Sequence, residues 1–187
     1  MLKLFSVPIH SRKLNLNIEE ITEYCVSIKK DTKSVSAVSS VGGWQSPHLT
    51  GDPPVLNDLF FNILKSSEKY REVISYKYPL RLGAVWININ GYKDYNRQHI
   101  HPHSVISGAY YLTSNNSNIV FLNPALDLME YDWSSHAIKD YNEHNSATWS
   151  IKPSQNELLL FPGWLKHKVE PNLDKEDRIS ISFNLDR

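Results

Sequence analysis

The stretch Gln98-His99-Ile100-His101-Pro102-His103 decides how the rest of this 187-residue chain is interpreted. It places three of the eight histidines at alternate positions, directly before the strand-like segment Ser107-Gly108-Ala109-Tyr110-Tyr111-Leu112. Side chains at i and i+2 of an extended chain point the same way, so two imidazoles there can converge on one metal ion. A further histidine, His167, follows another strand-like segment near the C-terminus. The pattern predicts a metal site inside a β-barrel.

Around this stretch, apolar periodicity divides the chain into a helical N-terminal part and a β-rich remainder. Asn17 followed by Glu20 is typical of a helix N-terminus, and the apolar residues after it predict a helix over 18–30. Pro53-Pro54 opens a second helix. Short strands separated by turns are predicted at 81–90, 105–112, 118–122, 147–152, 157–161 and 177–185.

These elements predict a single domain over 1–187 that is mostly β within the α+β class. Residues 1–79 would form its helical part, packed on one sheet of an antiparallel β-barrel or sandwich in residues 80–187. The segment 123–146 is long, acidic and aromatic, and such loops are often lids or binding loops. We therefore expect it to select the substrate. Three of its carboxylates are further candidate metal ligands: Asp127, Glu130 and Asp132.

The last predicted strand has two different faces. Alternation places Arg178, Ser180, Ser182 and Asn184 on one face and three apolar residues on the other. The apolar face should meet the N-terminal helices, so the polar face should line the barrel interior. A buried guanidinium needs an anionic partner, which could be a carboxylate of the protein or of a ligand.

Composition excludes some classes of function. Lysine plus arginine and aspartate plus glutamate number 20 each, so the formal net charge is zero. This balance argues against non-specific nucleic-acid binding and against a membrane-surface role. The single cysteine, Cys25, excludes an intrachain disulfide, and the N-terminal residues lack the apolar run of a signal peptide. We expect a cytoplasmic protein.

The chemistry that needs this set of residues is that of an oxygenase. Imidazole binds iron, zinc, copper and nickel, so the histidines alone do not name the metal. Three ligands on one side of Fe(II) leave positions for an α-keto acid, whose distal carboxylate then requires a cation. A guanidinium such as that of Arg178 binds a carboxylate bidentately.

Several segments together resemble the 2-oxoglutarate/Fe(II)-dependent dioxygenases, which have a double-stranded β-helix (jelly-roll, cupin-like) fold. Within that superfamily the chain is similar to a branch of oxygenases found in bacteria and tailed phages. The resemblance runs through about 40–187. It is carried by these segments: Gly42-Gly43-Trp44-Gln45-Ser46, Trp86-Ile87-Asn88, His99-Ile100-His101-Pro102, Ser107-Gly108-Ala109-Tyr110-Tyr111, Phe161-Pro162, His167 and Arg178-Ile179-Ser180-Ile181-Ser182-Phe183-Asn184.

The resemblance implies Fe(II), 2-oxoglutarate and O2 as cofactors and co-substrates, and hydroxylation of a C–H bond. It implies a bacterial cell or a phage-infected bacterial host. The proximal metal ligands would be His99 and His101, and the distal ligand His167. Arg178 would pair with the distal carboxylate of 2-oxoglutarate. Two residues would add hydrogen bonds to that carboxylate: Ser180 and Tyr111.

One position departs from the superfamily pattern. His101 stands where a carboxylate usually follows the first histidine by two residues. Either the site is a neutral set of three histidines, or His101 lies outside it. His103 is a contender, since His101-Pro102-His103 repeats the spacing, but the family pattern favours His99 with His101.

Four residues are candidates for the substrate site or its entrance: Trp44, Gln45, Trp86 and Asn88. The glycine-rich loop that carries Trp44 and Gln45 could equally be a packing plug. The substrate itself stays open between a peptide side chain, a nucleobase and a small metabolite, and the oligomeric state is not predicted. Four histidines are interpreted as structural or exposed: His10, His48, His136 and His144.

Two other functions compete with the oxygenase. A cupin-type metalloprotein would use His99-Ile100-His101 as its first motif, and Pro162-Gly163 with His167 and Asn172 as its second. It lacks a glutamate at 105 or 106 and leaves Arg178 unexplained. The third class is a non-catalytic binding module that keeps the fold.

Overall fold

The computed structural model describes residues 4–35, 39–114, 116–132 and 137–187. Within these ranges, eleven strands form two antiparallel sheets. The strands are β1 His10–Lys13, β2 Ser40–Val41, β3 Trp44–Gln45, β4 Arg81–Asn90, β5 Tyr95–His99, β6 Ile106–Tyr111, β7 Ile119–Leu122, β8 Thr148–Ile151, β9 Glu157–Pro162, β10 His167–Val169 and β11 Arg178–Asp186. The larger sheet has the order β1-β9-β6-β11-β4-β3, and the smaller sheet has the order β2-β5-β10-β7-β8.

The helices are α1 Ile18–Asp31, α2 Asn57–Val73 and α3 Leu126–Asp132, with a 3-10 turn over Pro54–Leu56 before α2. The start of α1 follows from its cap, because the side chain of Asn17 accepts a hydrogen bond from the Glu20 backbone N–H. Its end is marked by Thr32, whose backbone and hydroxyl both donate to Ile28 O. In the part of the chain that the structure describes, no helix is long and apolar enough to cross a membrane.

The helices α1 and α2 cover the outer face of the larger sheet. Leu59 and Ile63 of α2 pack with Ile87, Ile181 and other fully buried apolar side chains of β4 and β11 in one core. Each such side chain contributes about 1.5–3 kcal/mol relative to an exposed one. The predicted packing of the apolar face of the last strand on the N-terminal helices is confirmed.

Gly108 of β6 lies close to the backbone of β9 and to the side chain of Phe183 in β11. A Cβ atom at this position would lie 2.4 Å from both Leu159 O and a ring carbon of Phe183. Contacts that short do not occur between real atoms, so only glycine fits between the two strands here. A second, smaller core lies between the two sheets and includes Tyr111, Phe121 and Phe161.

Strand register fixes which polar side chains face the smaller sheet. In β11, Ser180 lies opposite Asn88 on one side and Tyr111 on the other, and Ser182 lies opposite Trp86 and Ala109. Arg178 lies opposite Asn90. Because alternate residues share a face, these side chains form rows on the inner surface of the larger sheet. The predicted polar interior is confirmed.

The structure differs from the sequence prediction in three places. The N-terminal third is not purely helical, because β1 joins the larger sheet beside β9 and the short strands β2 and β3 extend the two sheets. The strands β5 and β10 were not predicted, since β5 is mostly polar and β10 has three residues. The segment 123–146 is not a plain loop, because it contains α3.

Candidate metal centre

Three histidines meet between the sheets. The ligand nitrogens of His99, His101 and His167 all lie within 4.8 Å of one another. The Nε2 atoms of His101 and His167 are 3.3 Å apart. Two nitrogens bound at right angles to one ion at about 2.1 Å would be about 3 Å apart. The geometry therefore suits a single metal ion held on one side by three imidazoles.

Strand pairing brings these histidines together. His99 ends β5 and lies opposite His167 of β10. His101 follows the end of β5, where its backbone N–H donates to Gly163 O at 2.8 Å. A Cβ atom at Gly163 would lie 2.3 Å from Ser104 O, so glycine lets the two loops approach. Alternation in an extended chain then aims His99 and His101 at the same point.

Hydrogen bonds orient the rings. Nδ1 of His99 donates to Arg97 O at 2.7 Å, and Nδ1 of His167 donates to Leu165 O at 2.8 Å. A carbonyl only accepts, so Nδ1 carries the proton and Nε2 keeps its lone pair for a metal. His101 uses the side chain of Asn184 instead.

Asn184 is itself held by the neighbouring strand. Its Oδ1 accepts a hydrogen bond from Ser107 Oγ at 2.8 Å, and the two residues lie opposite each other in the β11–β6 pairing. A ring position that rests on a side chain can be altered by substitution, unlike one that rests on a backbone carbonyl. His101 is therefore the ligand candidate whose orientation depends most on a second residue.

Burial keeps the three imidazoles neutral. Desolvation lowers the pKa of His101 to about 4 and that of His167 to about 3, and it also lowers the pKa of His99. The neutral ring is the form that binds metals. Among the residues that the structure describes, no carboxylate joins the three histidines. The cluster is a three-histidine set with no anionic ligand.

Arg178 lies in the same interior and has only 4% of its surface exposed. Its guanidinium carbon is 5.2 Å from the centre of the Tyr111 ring. Within the described ranges, no carboxylate forms an ion pair with it, and the neighbouring Asp177 pairs instead with Lys29 at 3.7 Å. Burial lowers the pKa of Arg178, because desolvation penalises its charge.

The Tyr111 hydroxyl is buried without a hydrogen-bond partner of good geometry among the described residues. Burial raises its pKa, and the cation of Arg178 opposes that rise. A buried guanidinium without a counter-charge and a buried hydroxyl without a well-aligned partner are costly, and their contact with each other supplies no anion. Together they form a place for an anionic group such as a carboxylate.

The three histidines, Arg178 and Tyr111 line one cavity of about 390 Å³. Of the other predicted site residues, the structure brings four to the same cavity: Gln45, Trp86, Asn88 and Ser180. The ring of Trp86 stacks on His101, with 5.6 Å between the ring centres. Four further residues line the cavity: His48, Asn96, Ser182 and Asn184.

Two of these were predicted from the sequence to face the interior, and sequence interpretation missed His48 and Asn96. Ser182 and Asn184 alternate with Arg178 in β11, so period-two spacing already placed them on its face. His48 lies in a loop, and the centre of its ring is 6.0 Å from that of Trp86. No feature of the sequence predicts that His48 lines the cavity.

Three predicted residues lie elsewhere. The idea that Trp44 lines the entrance is corrected, because Trp44 and Gln45 point to opposite faces of β3 and Trp44 packs against the helix-side core. His103 is exposed, has a φ of 72°, and is not part of the histidine cluster. Asn172, a residue of the cupin interpretation, is buried and donates to Asn90 O and Glu176 O, which is a structural role.

The segment 123–146 does not contribute to the cavity wall within its described residues, 123–132 and 137–146. The expectation that it selects the substrate is therefore not supported by this part of the segment. His136 and the side chains of Glu130 and Asp132 lie outside what the structure describes. His10 is partly buried in β1, and His144 is exposed.

Comparison with known proteins agrees with this geometry. Residues 84–184, more than half of the chain, match the model of a family described as "Putative 2OG-Fe(II) oxygenase". No curated protein is significantly similar in sequence.

Solved structures resemble the fold at low sequence identity. A prolyl-4-hydroxylase from Pseudomonas putida superposes with a TM-score of 0.68 at 9% identity, covering 98% of this chain and 95% of that one. HygX from Streptomyces hygroscopicus, with nickel and 2-oxoglutarate bound, superposes with a TM-score of 0.65 at 12% identity, covering 96% of this chain and 83% of that one. The viral collagen prolyl hydroxylase of Paramecium Bursaria Chlorella virus-1, in complex with 2-oxoglutarate, superposes with a TM-score of 0.60 at 12% identity. The match covers 95% of this chain and 94% of that one.

The predicted double-stranded β-helix is confirmed by these likenesses. From its sequence match over most of the β-sheet core, the chain belongs to the 2-oxoglutarate- and Fe(II)-dependent oxygenase family.

Proposed function

We propose that this protein is a hydroxylase in which His99, His101 and His167 hold Fe(II) and Arg178 holds the distal carboxylate of 2-oxoglutarate. The observation that carries this proposal is the buried guanidinium of Arg178, which has no ion pair to a described residue and shares a cavity with the three imidazoles. A guanidinium and a carboxylate form two parallel hydrogen bonds. The keto acid would thus supply the missing anion.

Two hydroxyls support the same assignment. Tyr111 Oη is buried without a good hydrogen-bond partner among the described residues, and Ser180 lies opposite Tyr111 across the β11–β6 pairing. Ser180 is 2% exposed and lines the cavity. A carboxylate bound by Arg178 could accept a hydrogen bond from each hydroxyl, which would satisfy both.

The donor set also fits iron, since imidazole is a ligand for non-haem Fe(II). When bound, Fe(II) with O2 oxidises 2-oxoglutarate to succinate and CO2, and the second oxygen atom enters a substrate C–H bond. The residues of the chain would hold the metal on one side and orient the keto acid along β11. His101 gives this site one negative charge fewer than a carboxylate would.

Ligand binding tests the co-substrate assignment. With Ni(II) in place of iron, 2-oxoglutarate should raise the melting temperature of the protein, and Arg178→Ala should abolish the rise. Arg81→Ala is the matched control, because Arg81 is exposed at the start of β4 and outside the cavity. No rise in the wild-type protein would contradict the proposal.

A second pair of variants tests the metal assignment. His101→Ala should weaken Ni(II) binding about 10–100-fold or more, as expected for loss of a ligand, whereas His103→Ala should leave it unchanged. Calorimetric titration measures both. Equal effects of the two substitutions would show that the assignment of His101 is wrong.

Turnover separates an enzyme from a binding module with the same fold. With Fe(II), 2-oxoglutarate and air, the wild-type protein should form succinate slowly even without its substrate, and Arg178→Ala should not. If the protein binds 2-oxoglutarate but forms no succinate with any substrate offered, the non-catalytic alternative is supported instead.

We also propose that the protein works in the cytoplasm of a bacterial cell, including one infected by a phage. The resemblance to a bacterial and phage branch supports this host. Cys25 is compatible with a reducing compartment, because it is buried and desolvation raises the pKa of its thiol to about 12. Fractionation of host cells, with the protein expected in the cytosolic fraction, tests the location.

A further inference from the structure

The wall of the cavity is almost free of charged side chains. The described residues that line it include no aspartate, glutamate or lysine, and Arg178 is the single arginine among them. In the proposed function, the charge of Arg178 is neutralised by 2-oxoglutarate. The two negative charges of 2-oxoglutarate offset Arg178 and one charge of a divalent metal, so the loaded site keeps one positive charge and offers a cationic substrate group no counter-charge.

The same wall carries amide groups with free hydrogen-bonding atoms. Gln45 and Asn88 lie opposite each other in the β3–β4 pairing, so their side chains are neighbours on the cavity face. Asn88 Nδ2 donates to Ser182 Oγ at 2.9 Å, which leaves its Oδ1 free. The Gln45 side chain makes no hydrogen bond to another described residue, and it lines the cavity.

The position of Gln45 separates it from the co-substrate. β3 is the edge strand of the larger sheet, two strands from β11, which carries Arg178 and Ser180. Strands lie about 4.8 Å apart, so the Gln45 backbone is about 10 Å across the sheet from β11. Trp86, which stacks on His101, belongs to the intervening strand β4. Gln45 shares a cross-strand row with Asn88 and Ser180, so the distance across the sheet is what separates it from the proposed carboxylate site.

We propose that the substrate presents to the metal centre an uncharged, amide-bearing group that is recognised by Gln45 and Asn88. An amide offers one donor side and one acceptor side, which complement the free atoms of these two residues. The cavity volume of about 390 Å³ is at the lower end for small-molecule sites, so one small group enters beside 2-oxoglutarate. This proposal rests on the proposed function, because it requires Arg178 to be occupied by the keto acid.

Three planar probes of nearly equal shape test the charge requirement: benzamide, benzoate and benzamidinium. The protein is loaded with Ni(II) and saturated with 2-oxoglutarate, whose binding is measured first on the same sample. Benzamide should then bind at least about tenfold more tightly than benzamidinium and more tightly than benzoate, as judged by ligand-observed NMR titration. Equal or tighter binding of benzoate or benzamidinium, or no binding of benzamide, would overturn the proposal.

Gln45→Glu tests the residue assignment with almost no change of shape. It should weaken benzamide binding, strengthen benzamidinium binding by about tenfold through the new charge pair, and leave the affinity for 2-oxoglutarate unchanged. Gln98→Glu is the matched control, because Gln98 is exposed on β5 and outside the cavity, and it should change none of these values. Gln45→Met removes the amide without adding charge, so it should weaken the binding of benzamide and leave the binding of the two charged probes unchanged.

The outcomes keep the two proposals apart. If wild-type protein fails to bind 2-oxoglutarate, the proposed function is wrong and the substrate proposal is overturned with it. If 2-oxoglutarate binds but the probe preference is absent, the substrate proposal alone is wrong. Loss of 2-oxoglutarate binding in Gln45→Glu would place Gln45 at the co-substrate and would also overturn the substrate assignment.

Discussion

The two faces of β11 have different roles, because one packs in the apolar core and the other lines the cavity. On the helix side, Ile179, Ile181 and Phe183 are buried in the apolar core. On the cavity side, Arg178 and Ser180 are buried equally well, but Arg178 has no ion-pair partner among the described residues. The helix-side face stabilises the fold, whereas the cavity-side face carries polar groups that a ligand would satisfy. Substitutions on the two faces should therefore separate stability from binding.

Phe183→Ala should have the largest effect on stability. The side chain is fully buried, and its ring occupies the space that a side chain at Gly108 would need. Its removal should lower the free energy of unfolding by about 3–5 kcal/mol. Chemical denaturation of the protein without ligands measures this value. The control Phe61→Ala removes a ring that is 64% exposed on α2 and should change stability by less than about 0.5 kcal/mol.

Arg178→Met should have the reverse profile. A methionine fills most of the same volume without a charge, so the ligand-free protein should be as stable as the wild type or more stable by about 1–4 kcal/mol. The same variant should bind 2-oxoglutarate at least about a hundredfold more weakly, because its bidentate partner is gone. Denaturation and calorimetric titration measure the two quantities. A strong loss of stability would make Arg178 a structural residue, and the contrast between the faces would fail.

Asn184→Leu should weaken metal binding without a large loss of stability. The amide is the hydrogen-bond partner of His101 and is held by Ser107 Oγ at 2.8 Å. Loss of such a partner costs about 10–100-fold in metal affinity. Asn184→Asp keeps an acceptor for the ring and adds a negative charge near the metal, so it should bind Co(II) at least as tightly as the wild type. Titration followed by the Co(II) absorption spectrum distinguishes these variants, and equal affinities in all three proteins would contradict this role.

Tyr111→Phe should have the smallest effect. It removes a buried hydroxyl that lacks a good partner among the described residues, so stability should stay within about 1 kcal/mol of the wild type or rise slightly. The affinity for 2-oxoglutarate should fall by about tenfold, the lower end of what the loss of one hydrogen bond to a charged group costs. Tyr110→Phe is the matched control on the helix side, where the hydroxyl donates to Asn156 Oδ1 at 2.6 Å. That control should lower stability and leave 2-oxoglutarate affinity unchanged.

Much of the fold and of the candidate site was predictable because long strands have a strict period of two. The nine residues of β11 and the ten of β4 show their faces in the sequence, so the core side and the cavity side could be assigned before the structure. The histidines were predictable for a related reason, since His99 and His101 share a direction in an extended chain. The choice of the pair His99 and His101 over the pair His101 and His103 came from the family pattern.

Short elements were less predictable. β3 has two residues, so its sequence does not show which side chain faces the cavity, and the sequence left Trp44 open between an entrance and a packing role. β10 has three residues, and the polar β5 has no apolar alternation to mark it. His48 reaches the cavity from a loop, where no periodicity applies. These assignments depend on pairing with distant strands, which local sequence does not encode.

By itself, the sequence determined the class of fold, the three ligand histidines as candidates, and the polar face that carries Arg178. These follow from side-chain chemistry and from alternation within a single strand, both of which are local. Only the tertiary structure decided that Arg178 is buried without a carboxylate partner among the described residues, that Asn184 orients His101, and that Gln45 faces the cavity. Those facts depend on register between strands far apart in the chain, and register is fixed by the packing of the whole sheet.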